Sequence, residues 1–284
     1  MSDPLTVNDA HRDRLEALTP ILEGMGSCLL AYSGGVDSTF LLAAAQKALG
    51  ERCLAVTVHS LFHRGEEVET ARRLASRLGA RHRVIELDMS AREEVLRNPP
   101  DRCYHCKKAI FSALREMARE EGIETVIEAS HVDDLAERRP GMKALAELGV
   151  RSPLREAGFS KAEIRESSRL LGLEGADRPA GPCLATRIPY GVAVTPARLR
   201  RVAGAEEILR GLGFVAPRVR DYDETARIEL RAEEMERIAD PALRRAIFRP
   251  LRDIGYTFVT VDLEGYRTGR MDEVLEEEMD GGEG

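Results

Sequence analysis

A chain of 284 residues is longer than most single hydrophobic cores require, so two domains are expected. With 43% hydrophobic and 32% charged residues and no Trp, the composition excludes a disordered or fibrous protein, and no window approaches an uncharged apolar run of membrane-spanning length. The formal net charge of −7, with acidic residues interleaved among the arginines, weighs against a folded RNA as substrate and admits a small anionic one.

Residues 1–16 mix acidic, basic and polar side chains, unlike a signal or transit peptide, so a cytosolic (cytoplasmic) protein is expected. Apolar residues at helical spacing (Leu15, Leu18, Ile21, Leu22) predict an opening helix over 5–25. A short apolar strand at 27–32 runs into a glycine-rich loop and a helix over 39–49. Strands at 53–59, 81–87 and 125–129 alternate with helices at 66–78 and 107–122. That rhythm predicts an α/β domain, a doubly wound parallel sheet that binds ligands at the carboxyl ends of its strands. After Gly172 the texture changes: Pro179, Gly181 and Pro182 crowd together before Arg187-Ile188-Pro189-Tyr190-Gly191. A helix at 196–212, strands near 218–222 and 226–230, a helical region over 233–254 and a strand at 257–263 predict a smaller C-terminal α+β domain. The domains are therefore expected at 1–180 and 181–284, ending in a frayed polar tail over 276–284.

The strongest local signal is Ser33-Gly34-Gly35-Val36-Asp37-Ser38, between a strand and a helix. Paired glycines let the backbone turn tightly and aim several N–H groups at one spot, and the helix adds its positive end, so an anion binds there. Ser33 and Ser38 offer hydroxyl donors, and Asp37 can cap the helix or orient a magnesium ion. No Lys-Ser/Thr closes the loop, so it is not a Walker motif. It resembles the SGGxDS pyrophosphate loop of ATP pyrophosphatases, which implies cleavage of ATP to AMP and pyrophosphate with activation of a carboxylate or carbonyl oxygen. Lys107 or Lys108 is a candidate second phosphate contact, and Asp133 and Asp134 could assist magnesium or nucleotide or simply cap a helix.

The five cysteines are an odd number in a long chain, so a disulfide framework is not expected. Cys28 and Cys53 sit in apolar runs and read as core. Cys103-Tyr104-His105-Cys106 is a CxxC at the start of a helix, and Cys183 lies far along the chain. The pair alone could be a zinc half-site, a redox pair or a chance spacing; three thiols also suit an iron–sulfur cluster with one iron left open. His59, His63, His105 and His131 lack ligand spacing and read as ordinary polar residues.

Nearly the whole chain, from the SGGVDS loop through Cys183-Leu184-Ala185-Thr186-Arg187-Ile188-Pro189-Tyr190-Gly191, Arg218-Val219-Arg220, 226–230 and 265–270, resembles the LarE-type ATP-dependent sulfur transferases. These help make the nickel-pincer nucleotide cofactor of lactate racemase. The resemblance implies that ATP, with Mg2+, adenylates each carboxylate of pyridinium-3,5-biscarboxylic acid mononucleotide, and that sulfur enters at Cys183. Some members lack the CxxC and sacrifice the cysteine's own sulfur, leaving dehydroalanine. Because this chain has Cys103 and Cys106, it is similar to members that bind a 4Fe-4S cluster through three cysteines, here Cys103, Cys106 and Cys183. The resemblance places a substrate-phosphate pair on Arg218 and Arg220, alternate residues on one strand face, with a solvated strand face as the plain alternative. It places cavity-lining acids on Glu206 and Glu229, with surface salt bridges as the plain alternative. A homo-oligomer built on the small domain and hand-over to a nickel-inserting enzyme are implied, with no nucleic-acid or membrane partner. Rival readings are a tRNA thiolase, an amide-forming synthetase with the same loop, and a nucleotide-binding sensor without catalysis.

Overall fold

The computed structural model describes residues 9–135, 140–177, 181 and 183–267. The predicted start of the opening helix before Asp9, the expected domain boundary at 180, Pro179, Pro182, Thr268 to Arg270 and the tail at 276–284 lie outside the described residues. The chain divides into two compact units: Met1–Asp88 with Cys103–Gly181, and Met89–Arg102 with Pro182–Gly284.

The first unit opens with α1 (Asp9–Glu23), β1 (Cys28–Ala31), α2 (Val36–Leu49), β2 (Cys53–His59), α3 (Gly65–Arg77) and β3 (Arg81–Glu86). The sheet is parallel throughout, in the order β3-β2-β1-β4, where β4 is Thr125–Ile127. This is the doubly wound sheet expected from the alternation of strands and helices. Alternate residues of the two central strands feed opposite faces, as period-2 side-chain geometry requires. Cys28, Leu30, Cys53 and Ala55 pack with Leu18 and Leu22 of α1 and Phe40 and Leu41 of α2. Leu29, Leu54 and Val56 pack on the other side with Phe111, Leu114 and Ala118, which belong to α5 (Arg102–Glu120). Each fully buried Leu or Phe stabilises the fold by about 1.5–3 kcal/mol, so two such layers fix the strand ends from which the glycine loop departs.

Cys28 and Cys53 are register partners and wholly buried, as expected of core cysteines. A hydrogen bond between them, together with burial, pushes the Cys28 thiol far up, which makes it inert.

Three helices between β4 and residue 172 carry no expectation from the sequence: α6 (Pro140–Glu147), α7 (Pro153–Glu156) and α8 (Lys161–Leu170). α8 begins with a capping box, in which Ser160 accepts from the Glu163 amide and the Glu163 carboxylate accepts from the Ser160 amide. Phe159, just before it, meets Phe40 edge-on at 5.4 Å between ring centroids.

The second unit holds α4 (Glu93–Leu96), α9 (Pro196–Gly211), β5 (Arg218–Tyr222), β6 (Thr225–Glu229), α10 (Pro241–Asp253) and β7 (Phe258–Val261). β6 is central, antiparallel to β5 and parallel to β7. Ala205 and Leu209 of α9 and Ile247 and Leu251 of α10 cover Val219, Ala226 and Ile228. The single helical region expected over 233–254 is instead a 3₁₀ segment, Ala232–Ala239, and then α10. Asp240 caps α10 by accepting from the Ala242 amide, and Pro241 occupies its first turn, which fixes a new helix start there. The segment 89–102 joins this unit through backbone bonds from Gly191 N to Asn98 O (2.9 Å) and from Val194 N to Leu96 O (2.8 Å).

Candidate active site

The glycine loop is shaped by its own backbone and hydroxyls. Gly34 has φ +72°, where an L side chain is strained, and a Cβ there would sit 3.0 Å from Ala71 Cα of α3. The Ser38 hydroxyl donates to Gly35 O (3.1 Å), accepts from Ser33 N (3.3 Å) and lies 3.1 Å from the Ser33 hydroxyl. Ser33 Oγ in turn accepts from Gly35 N at 3.3 Å. Gly35 occupies the N-cap of α2 with no side-chain cap, so the first-turn amides are open to an anionic guest.

Asp37 does not cap the helix, one of the two roles the sequence offered it. Its carboxylate is held by Lys161 at the start of α8, with Nζ 2.5 Å from each oxygen. Lys161 had no signal in the sequence; the contact spans 124 residues. Asp133 behaves as a cap, accepting from the Lys161 amide at 2.7 Å. Asp134 turns back on its own loop and accepts from His131 N at 3.1 Å.

Behind the loop, Tyr32 O accepts from Thr57 Oγ1 at 2.8 Å, and that hydroxyl lies 2.8 Å from His82 Nε2. Burial, then the charge of Arg72, lowers the His82 pKa. At the end of β2, burial and then His59 lower that of His63, which shares a hydrogen bond with the Ser60 hydroxyl (3.1 Å).

Cys103 and Cys106 lie in the first two turns of α5, three residues apart and therefore on one side of the helix. Cys103 is exposed and Cys106 half-buried. Tyr104 between them donates to Glu147 (2.8 Å) and meets the His105 ring edge-on. Lys108 is committed to Tyr104 (2.8 Å) and Glu147 (2.9 Å). Lys107 differs: its stem lies across Gly141 of α6, so close that a Cβ there would sit 2.6 Å from the Lys107 Cδ.

In the second unit, half-buried Cys183 opens a four-residue 3₁₀ turn, Leu184–Arg187. So short a turn closes few bonds of its own, from Thr186 N to Cys183 O (3.0 Å) and from Ile188 N to Ala185 O (3.2 Å), and side chains from within the turn and from other elements add to them. Cys183 O accepts from the Thr186 hydroxyl (2.7 Å) and from Arg187 Nη1 (3.3 Å). Ala185 O accepts from Arg102 Nη1 (3.0 Å), and Thr186 O from Arg220 Nη1 (2.6 Å). The arginines are themselves anchored. Arg187, only 1% exposed, forms a two-pronged pair with Glu206 (2.7 and 3.2 Å). Arg220 forms one with Glu229 (2.9 and 2.8 Å).

Neither plain alternative offered by the sequence therefore describes these four residues. Arg218 and Arg220 are 6% and 5% exposed, not on a solvated strand face, and Glu206 and Glu229 sit in buried ion pairs, not surface ones. Arg218 lies over the Tyr266 ring (5.2 Å) and donates to the carbonyls of Ala216 and Pro217. Arg102, Asn98 and the structural role of Arg187 had no signal in the sequence. An open cleft of about 570 Å³ beside α9, lined by Arg198, Arg201 and Asp223 among others, contains none of the expected site residues.

Among the described residues no group of three or more His, Cys, Asp and Glu side chains could hold a metal ion. Cys103 and Cys106 belong to the first unit and Cys183 to the second. In kind the donors suit iron, since all three thiols stand outside the hydrophobic cores that swallow Cys28 and Cys53. No helix among the described residues is long and apolar enough to cross a membrane.

Known proteins resemble this chain at two levels, one domain and nearly the full length. A PP-loop domain family matches residues 8–144. An uncharacterized protein of Synechocystis sp. is 39% identical over 262 residues, covering 92% of this chain and 98% of its own. The pyridinium-3,5-bisthiocarboxylic acid mononucleotide synthase of Lactiplantibacillus plantarum is 36% identical over 260 residues, 91% of this chain and 93% of that one. One subunit of the glutamine-hydrolyzing GMP synthase of Archaeoglobus fulgidus is 30% identical over 218 residues, 70% of this chain and 67% of its own.

Proposed function

Since this chain belongs to the family of PP-loop, ATP-dependent sulfur transferases that includes the pyridinium-3,5-bisthiocarboxylic acid mononucleotide synthase, we propose that it thiolates the carboxylates of pyridinium-3,5-biscarboxylic acid mononucleotide during nickel-pincer nucleotide synthesis. The observation that carries this reading is the uncapped start of α2, flanked by the Ser33 and Ser38 hydroxyls. A departing pyrophosphate matches it in charge and in number of acceptor oxygens.

In the proposed reaction a carboxylate oxygen attacks the α-phosphorus of ATP. The bond to the bridging oxygen breaks, and its electron pair leaves with pyrophosphate. A sulfur nucleophile then attacks the carbonyl carbon of the acyl adenylate and expels AMP. Gly34 and Gly35 shape the loop, Ser33 and Ser38 donate to pyrophosphate, and Lys107 is the second phosphate contact. Asp37 would hold Mg2+, exchanging the Lys161 ammonium for the metal; a part-buried carboxylate already paired with a cation suits that role. Arg218 and Arg220 take the substrate phosphate, and Glu206 and Glu229 fix the neighbouring cations in place.

For the sulfur source we assign Cys103, Cys106 and Cys183 as ligands of a 4Fe-4S cluster. The chemistry such a cluster supplies when bound is a sulfide on its fourth iron. Anaerobic purification with iron and sulfide assays tests this. About four irons per chain are expected, lost in Cys103→Ala, Cys106→Ala and Cys183→Ala. Iron-free protein whose Cys183 becomes dehydroalanine on turnover would establish the sacrificial route instead. Labelled ATP offered with the pyridinium acid, with crude tRNA and with ammonia separates the reading from its rivals: thiolation of tRNA alone, or amide formation, would overturn it.

A further inference from the structure

The Cys183 turn is held by two residues that belong to neither the phosphate loop nor the strand arginines. Asn98 is wholly buried and has φ +57°, a left-handed conformation that costs a non-glycine residue energy. Its Nδ2 donates to Ile188 O (3.1 Å) and to Pro189 O (2.7 Å), and its main-chain carbonyl accepts from Gly191 N (2.9 Å). Its Oδ1 accepts from Arg102 Nη1. Arg102 is 4% exposed, and the same Nη1 reaches Ala185 O at 3.0 Å. The pair thereby covers the carbonyls of residues 185, 188 and 189, while Arg187 and Arg220 cover those of 183 and 186. In the chain, Arg102 is followed directly by Cys103.

Resting on the reading of Cys183 as the point where sulfur enters, we infer that Asn98 and Arg102 are positioning residues that set the place of the Cys183 thiol for sulfur transfer. They act through the backbone of the turn, and neither touches a reacting atom. In this left-handed conformation, which Asn adopts more readily than most residues, the one side chain serves two carbonyls while its own carbonyl receives Gly191. Arg102 then fixes the amide orientation, since its guanidinium can only donate and must find Oδ1. Both lie in a segment that joins the second unit from ninety residues upstream, so the geometry of the turn depends on that segment being seated.

The test uses the full-length protein and three variants: Asn98→Gly, which keeps the positive φ but deletes the amide, Arg102→Met, and Arg102→Lys as the conservative rescue. Two quantities are read with ATP and the pyridinium acid, pyrophosphate release and thiocarboxylate formation. A 1 Å displacement of a reacting group costs roughly a hundredfold, so thiocarboxylate formation should fall by about that factor in Arg102→Met, with pyrophosphate release within about twofold of wild type. Arg102→Lys should recover part of the loss. Independently of any activity, the rate of iodoacetamide alkylation of Cys183 in protein freed of iron by a chelator, followed by peptide mapping, should change several-fold in both deletion variants while that of Cys103 does not. If Arg102→Met does not fold, Asn98→Gly alone decides. Unchanged Cys183 alkylation, or an equal fall in both activities, would overturn the inference. A wild-type protein that releases no pyrophosphate with the pyridinium acid would overturn the proposed function instead, and the alkylation rates would still decide the role of the pair.

Discussion

The phosphate loop and the Cys183 turn are both irregular backbone, yet they are held by opposite means. The loop is fixed from within six consecutive residues: a glycine in the left-handed region, two serine hydroxyls and a helix start. The turn is fixed by buried charges, Arg187 within it and Arg102 and Arg220 from outside, and by the carboxylates that neutralise Arg187 and Arg220. A loop of the first kind needs only that its neighbours leave room; one of the second kind is as stable as the buried charges that grip it. Removing one partner of a buried pair strands the other, at about 3–5 kcal/mol.

That contrast orders the expected effects of substitution. The largest is Glu206→Ala, which leaves Arg187 without its carboxylate at 1% exposure. Urea unfolding at neutral pH should register about 3–5 kcal/mol lost, with ATP affinity unchanged because the loop lies in the other unit. Loss of ATP binding would break the comparison. Next is Gly34→Ala, which adds about 1–2 kcal/mol of backbone strain and a contact with Ala71. ATP binding by calorimetry should be abolished with little change in unfolding of the second unit. Ser38→Ala should cost about 1 kcal/mol and weaken ATP several-fold, since the Ser38 hydroxyl ties Ser33 to Gly35.

The smallest effect is a pH dependence confined to the first unit. His63 and His82 both have pKa values held below the ordinary 6.5, in each case chiefly by burial. The folded state therefore binds fewer protons than the unfolded one just below that value, and stability is lost as pH falls from about 6.5 through the folded-state values. A melting temperature that declines from pH 7 to pH 5.5 in wild type, and less steeply in His82→Asn, sharpens the account; an unchanged slope contradicts the assignment to His82.

The same contrast governs how much could be read from the sequence. The SGGVDS loop was legible because its turn, its hydroxyls and its helix start are consecutive. Cys28 and Cys53 were legible as core because strand alternation places them among apolar neighbours. For α8 the one local signal is Ser160 and Glu163 at capping-box spacing, while α6 and α7 are too short to show periodicity. Nothing in the order of residues says that Arg187 seeks Glu206, or that Lys161 seeks Asp37 across 124 positions. A buried arginine looks the same in a sequence as a solvated one, so Arg218 and Arg220 could be named while their surroundings could not.

The central claim is that sulfur reaches an adenylated carboxylate at Cys183. Its most direct test is mass spectrometry of the nucleotide product of Cys183→Ser beside wild type, both prepared anaerobically and supplied with ATP, Mg2+ and the pyridinium acid. The variant should still release pyrophosphate but form no thiocarboxylate, while wild type forms it. Undiminished thiocarboxylate from Cys183→Ser would contradict the account.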